Sequence, residues 1–170
     1  MARRKLIIAL ISLSFFLLSP LALASNGIEL KLWKKDQFSY GPCGHCGDFE
    51  RFVGNRDRGD FSEFDLYLAS GYYTVDLSGP AGTTVTLFAD KDFKMDRGYL
   101  IITKKDDAQI TISDIENFPA EKWVEGQGEE DGMGKFTAFY VPHQNFKNNV
   151  ASVKWGKWWS ASSLPQGSLK

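Results

Sequence analysis

Apolar side chains recur at every second position along much of this chain. Ile28, Leu30 and Leu32 alternate with Glu29 and Lys31; Phe64, Leu66 and Leu68 with Asp65 and Tyr67; Tyr73, Val75 and Leu77 with Thr74 and Asp76. Successive side chains of a strand point to opposite faces, so this period predicts strands that each bury one face. Ser70-Gly71 leaves only a short connection between the second and third runs. Glycine tolerates the positive φ of a tight turn, which predicts a hairpin there.

Further strands are expected at 83–88, 98–103, 108–113, 135–141 and 150–155, separated by Gly, Pro and Asp/Asn clusters such as Ser78-Gly79-Pro80-Ala81-Gly82. About eight short strands without a long amphipathic helix between them imply an all-β chain. The expected form is an antiparallel β-sandwich or a partly open Greek-key barrel, not a parallel α/β sheet. The aromatic content of 14% suits half-buried pleated surfaces. Helix signals are confined to two short stretches. Asp48 is placed to cap a turn carrying Phe49, Phe52 and Val53 before Gly54, and Pro119 to open a second through Trp123. The glycine-rich acidic stretch from Glu125 to Gly134 reads as a loop, and 160–170 as a flexible tail.

The N-terminus has a different character. Arg3, Arg4 and Lys5 lead into an apolar run from Leu6 to Leu18, Ser19-Pro20 breaks it, and Ala22-Leu23-Ala24 offers small side chains to a signal peptidase. Residues 1–24 are therefore expected to be a cleaved secretory signal, leaving one domain over 25–159 in the periplasm or outside the cell. Cleavage removes three of the 20 basic residues and none of the 21 acidic ones, so 17 face 21 and the net charge becomes −4. A mildly acidic chain without a basic block offers no electrostatic footprint for nucleic acid. No second apolar run is long enough for a helical membrane span, so no membrane association is expected after cleavage.

Cys43-Gly44-His45-Cys46 is the sharpest local motif. In an oxidising compartment the pair is expected to close a disulfide that pins a surface loop. The four residues resemble the redox motif of thioredoxins and protein disulfide isomerases. That resemblance implies an alternative in which Cys43 is the nucleophile, Cys46 the resolving thiol and His45 the group that tunes the thiol. A metal site would add His143 to Cys43, His45 and Cys46.

Phe146-Lys147-Asn148-Asn149-Val150-Ala151-Ser152-Val153-Lys154-Trp155 resembles the end of a βγ-crystallin Greek-key motif, and Phe88-Ala89-Asp90-Lys91-Asp92-Phe93 resembles its opening strand and turn. The resemblance implies aromatics clamping a tight corner, with hydroxyl and amide side chains either satisfying loop backbone groups or binding an ion. Aligned on the apolar strand, Lys147 and Ala151 fall where that family keeps ligands; shifted by one residue, Asn148 and Asn149 form the polar pair and Ser152 supplies the hydroxyl. Calcium at Asn148, Asn149 and Ser152 is the cofactor this implies, bound weakly because negative ligands are few.

Trp155, Trp158 and Trp159 close the domain, with Trp33 and Trp123 elsewhere. Val153 and Trp155 alternate as core residues of a last strand would. Exposed members of the group would form an aromatic platform for carbohydrate or for an extracellular protein. The catalytic inventory is thin: two histidines, no Gly-x-Ser-x-Gly elbow and no His-Glu-x-x-His. The sequence as a whole points to an exported, non-enzymatic β-sandwich of structural or binding role.

Overall fold

The computed structural model describes residues 27–35, 49–53, 55–64 and 71–160. Within them nine strands form two antiparallel sheets: β1 (Glu29–Lys35), β2 (Phe49–Val53), β3 (Tyr72–Ser78), β4 (Thr84–Phe88), β5 (Tyr99–Lys104), β6 (Ile110–Ile112), β7 (Trp123–Gln127), β8 (Lys135–Val141) and β9 (Ser152–Trp155). One sheet has the order β2-β1-β3-β6 and the other β7-β8-β5-β4-β9. The chain is an all-β sandwich. β4–β5 and β7–β8 are neighbours in sequence, whereas β8 returns beside β5 and β9 beside β4.

The alternation in the sequence fixes which residues face inward. Leu30 and Leu32 of β1, and Tyr73, Val75 and Leu77 of β3, are fully buried and meet Val85 and Leu87 of β4, Leu100 and Ile102 of β5 and Val153 of β9 in one core. Register aligns them in rows: Leu87 lies opposite Leu100 and Val153, and Leu100 opposite Tyr140. Two inward positions carry lysine. Lys104 donates to the Ala108 carbonyl and Lys34 lies 4.7 Å over the Tyr73 ring. Burial lowers the pKa of both ammonium groups.

The outer edge of β9 is closed by an irregular segment. Arg58 exchanges two backbone hydrogen bonds of 2.9 Å with Val153, and the Phe61 amide donates to Ala151. This removes a free strand edge that could pair with another chain. Phe61 also stacks on Phe52, with Phe64 edge-on to both.

Three expectations are corrected. Phe49–Val53 is a strand and not a helical turn, because Phe52 pairs with Leu30 across β1 and buries its ring in the core. Apolar residues at spacings of three and four suit a helix, yet a ready sheet edge decides the outcome. The first three residues of the acidic stretch, Glu125 to Gln127, belong to β7, where Gly126 faces the Phe136 ring so closely that a Cβ would lie 2.5 Å from it. The helical turns also differ in place: short 3-10 turns occur at Lys91–Phe93 and Phe146–Asn148, and Pro119 leads into β7 instead. The expected signal sequence, the strand expected beyond Phe64, Ser70 of the expected hairpin, the cysteine motif and the expected tail from 161 onward lie outside the described residues.

Candidate functional site

A sandwich needs one apolar face per sheet, yet the five-stranded sheet has two. On its outer face one row crosses all five strands: Trp123, Phe139, Ile101, Thr86 and Lys154. Beside it runs Val141, Tyr99, Phe88 and Ser152. Phe88, Tyr99, Ile101 and Phe139 are buried as a second cluster, with Phe93, Trp123, Val141, Trp158 and Trp159 packed against it. The sequence signal was the uninterrupted apolar run Tyr99-Leu100-Ile101-Ile102, since strands covered on both sides lose alternation.

The cover comes from the chain immediately after β9. Gly156, with φ of 74°, reverses direction and donates its amide to the Thr84 carbonyl at 2.9 Å. A left-handed residue at this turn favours glycine. Trp158 then lies over the sheet, its Nε1 donating to Thr86 Oγ1 at 2.8 Å and its ring 5.7 Å from Phe88 and 6.1 Å from Tyr99. Trp159 packs 5.9 Å from Trp123 and 5.8 Å from Trp158. Trp123, Trp158 and Trp159 remain half-buried. Lys157 lies 5.9 Å over the Trp159 ring and Lys154 4.8 Å over Phe93, placing two ammonium groups at the rim. Burial, then the nearby Glu121 charge, raises the Tyr99 pKa and keeps that phenol neutral.

The tryptophan group therefore divides. Trp155 points to the inner core, 7% exposed, while Trp158 and Trp159 reach the outer face and are joined there by Trp123. Trp33 lies on the other sheet, donating to Asp76 Oδ2 at 2.7 Å.

Ser152 is fully buried at the crystallin-like stretch. Its Oγ donates to the Asp90 carbonyl at 2.6 Å and accepts from the Phe93 amide at 3.3 Å, tying the 3-10 turn to β9. Phe88 and Phe93 meet edge-on at 6.0 Å across that corner. Asn149 Nδ2 donates to the Asn145 carbonyl at 2.8 Å, and the Asn148 amide donates to the same oxygen at 3.0 Å. His143 Nδ1 lies 3.0 Å from the Gln144 carbonyl. Cys43, His45 and Cys46 lie outside the described residues. Among the described residues no three His, Cys, Asp or Glu side chains gather as a metal cluster.

Sequence reasoning also missed a cleft at one end of the sandwich, lined by Ile28, Asn55, Pro80, Thr83, Trp155 and Gly156 among others. Its residues come from four separated segments and carry no linear motif. No family model, curated protein or solved structure matches this chain.

Proposed function

We propose that this protein is an exported, non-enzymatic binding module that holds carbohydrate against the outer face of its five-stranded sheet. The carrying observation is the convergence of Trp123, Trp158 and Trp159 on a rigid aromatic layer, with successive ring centroids 5.9 and 5.8 Å apart. Indoles fixed by the packing beneath them lose little freedom on binding, and their faces suit the C–H side of a sugar ring. The N-terminal signal sequence supports export. The size of the face favours sugar over protein: the described large apolar side chains that are well exposed are Val53 and Met95, neither one of the three indoles. A protein interface buries about 800 Å² per partner, more than three half-covered indoles supply.

The test is equilibrium binding to a panel of soluble neutral polysaccharides, read by tryptophan fluorescence. At least one is expected to bind, and Trp159→Ala to weaken it about tenfold or more, equivalent to about 1.4 kcal/mol. Trp33→Phe, on the opposite sheet, is expected to leave affinity unchanged. Failure of the whole panel, or an undiminished affinity in Trp159→Ala, overturns the reading.

The likeness to a βγ-crystallin corner draws support from Ser152, which is used to satisfy loop backbone groups. A calcium site borrowing that hydroxyl would compete with those bonds. Melting temperatures in about 10 mM calcium and in excess chelator are accordingly expected to differ by less than about 2 °C. A larger shift abolished by Asn148→Ala would assign calcium a real role.

A further inference from the structure

The aromatic layer on the five-stranded sheet carries positive charge that stacking alone does not use. Ion pairs among the described residues take up cations from Lys31 to Lys147, yet neither Lys154 nor Lys157 has a carboxylate partner there. Both lie against rings instead, Lys154 Nζ 4.8 Å from the Phe93 centroid and Lys157 Nζ 5.9 Å from that of Trp159. Lys154 is half-buried and Lys157 exposed, so both ammonium groups reach solvent.

The fold brings the two lysines to the indoles from different elements. Lys154 faces outward from β9 directly opposite Thr86, whose hydroxyl accepts the Trp158 indole hydrogen bond at 2.8 Å. Phe88 links that lysine's ring to the same tryptophan, lying 6.0 Å from Phe93 and 5.7 Å from Trp158. Lys157 arrives with the covering segment, one residue before Trp158. A ring face attracts an ammonium group but carries no net charge to neutralise it. From Lys154 on β9 to Trp123 on β7 the outer face spans four strand spacings, about 19 Å at about 4.8 Å each. Several linked sugar rings fit that span. Glu121, the carboxylate that acts on this layer through Tyr99, precedes β7 at the opposite edge from Lys154.

We infer that the carbohydrate held on this face is an acidic polysaccharide, with sugar rings on the indoles and uronate carboxylates against Lys154 and Lys157. This rests on the carbohydrate reading above and adds the charge class of the ligand. Exposed ion pairs each contribute little, so neutral chains bind as well but more weakly, and salt narrows the difference.

The experiment measures binding of polygalacturonate, alginate and hyaluronate, each beside its own methyl ester, by tryptophan fluorescence in about 20 mM salt. The ester keeps the sugar backbone and removes the charge. At least one acid is expected to bind about fivefold or more tightly than its ester, and the ratio to fall to within about twofold of unity in about 1 M salt. Lys154→Gln combined with Lys157→Gln is expected to bring the ratio to that level at low salt, whereas Lys154→Arg with Lys157→Arg should keep it. Arg56→Gln, which removes an exposed cation just after β2, should leave the ratio unchanged. Polyglutamate, with carboxylates but no sugar rings, should not displace the bound acid at equal carboxylate concentration. The inference is overturned if no acid binds better than its ester, if the glutamine pair keeps the preference, or if the arginine pair loses it. It is equally overturned if Arg56→Gln or polyglutamate acts as strongly, which would reduce the effect to bulk charge. Any of these results leaves the carbohydrate reading standing as long as neutral chains bind and Trp159→Ala weakens them. Loss of all polysaccharide binding would remove that reading and this inference together.

Discussion

The two sheets share one core yet treat their outer faces in opposite ways. On the four-stranded sheet the outward row is Arg51, Lys31, Asp76 and Thr111, one residue from each strand. Asp76 accepts from Trp33 Nε1 on one oxygen and from Thr111 Oγ1 at 2.6 Å on the other, and Glu29 pairs with Arg51 and with Lys31. The equivalent row on the five-stranded sheet begins with Trp123, Phe139 and Ile101 and is roofed by Trp158 and Trp159. One sheet ends at water through charges and hydroxyls. The other carries a second apolar layer, on which Trp123, Trp158 and Trp159 stay half-buried.

If the second layer is packed as a true core, truncation within it costs as much as truncation in the first. Phe139→Ala is expected to destabilise the protein by about 3–5 kcal/mol, matching Phe136→Ala on the inner face of the same strand. Lys31→Ala, outward on the other sheet, is expected to stay within about 0.5–1 kcal/mol. Urea unfolding of the three variants checks this, and the contrast between the sheets fails if Phe139→Ala falls near the Lys31→Ala value.

Alkali is the next probe, because the five-stranded sheet carries the tyrosines whose ionisation burial opposes. Burial, with the Glu116 carboxylate next in effect, pushes the Tyr140 phenol from its ordinary 10.0 up to about 12. A raised folded pKa gives stability that is complete below pH 10 and is lost as pH rises from 10 towards 12. Two pH units correspond to about 2–3 kcal/mol. Tyr140→Phe cannot ionise at this position, so the difference in stability between it and the parent should shrink or reverse by that amount between pH 9 and pH 12. A difference constant over that interval would show that the phenol is far better solvated than the packing implies.

The inner face was legible in the sequence because burial on one side leaves a period of two, as in Leu30 and Leu32 or Tyr73, Val75 and Leu77. The outer layer was written in the same residues in a different form. Tyr99-Leu100-Ile101-Ile102 has no period, and an unbroken apolar run is shared by buried helices and by strands covered on both sides. Trp158 and Trp159 stood out in the sequence as either core residues or a contact platform. Their landing place was not, since it follows from a reversal at Gly156 and from Trp123, which precedes them by some 35 positions. Phe49, Phe52 and Val53 show the converse limit: local spacing suggested a helix and pairing with β1 overrode it. The cleft had no local signal at all, because Thr83 and Trp155 each look like ordinary strand residues until the fold brings both to its lining.

The smallest expected effect belongs to the four-stranded sheet and tests whether its polar face contributes to stability or only keeps the sheet soluble. Glu29 is bonded by Arg51 and lies 3.4 Å from Lys31, and these contacts, the Arg51 hydrogen bond foremost, hold its carboxyl below the ordinary 4.5. A depressed folded pKa gives stability that is present above the unfolded value and is lost as pH falls through the folded one, so the loss begins below about pH 4.5. The Arg51 side chain is 60% exposed, so water and salt screen much of the attraction. The pair is therefore expected to contribute no more than about 1 kcal/mol near neutral pH. Glu29→Gln keeps the shape and removes the charge. It should lower stability by that small amount at pH 7 and by almost nothing at pH 2, with the gap at pH 7 narrowing in about 1 M salt. A gap that persists at pH 2, or that ignores salt, would mean that Glu29 acts through packing and uncharged hydrogen bonds, and the four-stranded sheet would then resemble its partner more than its charges suggest.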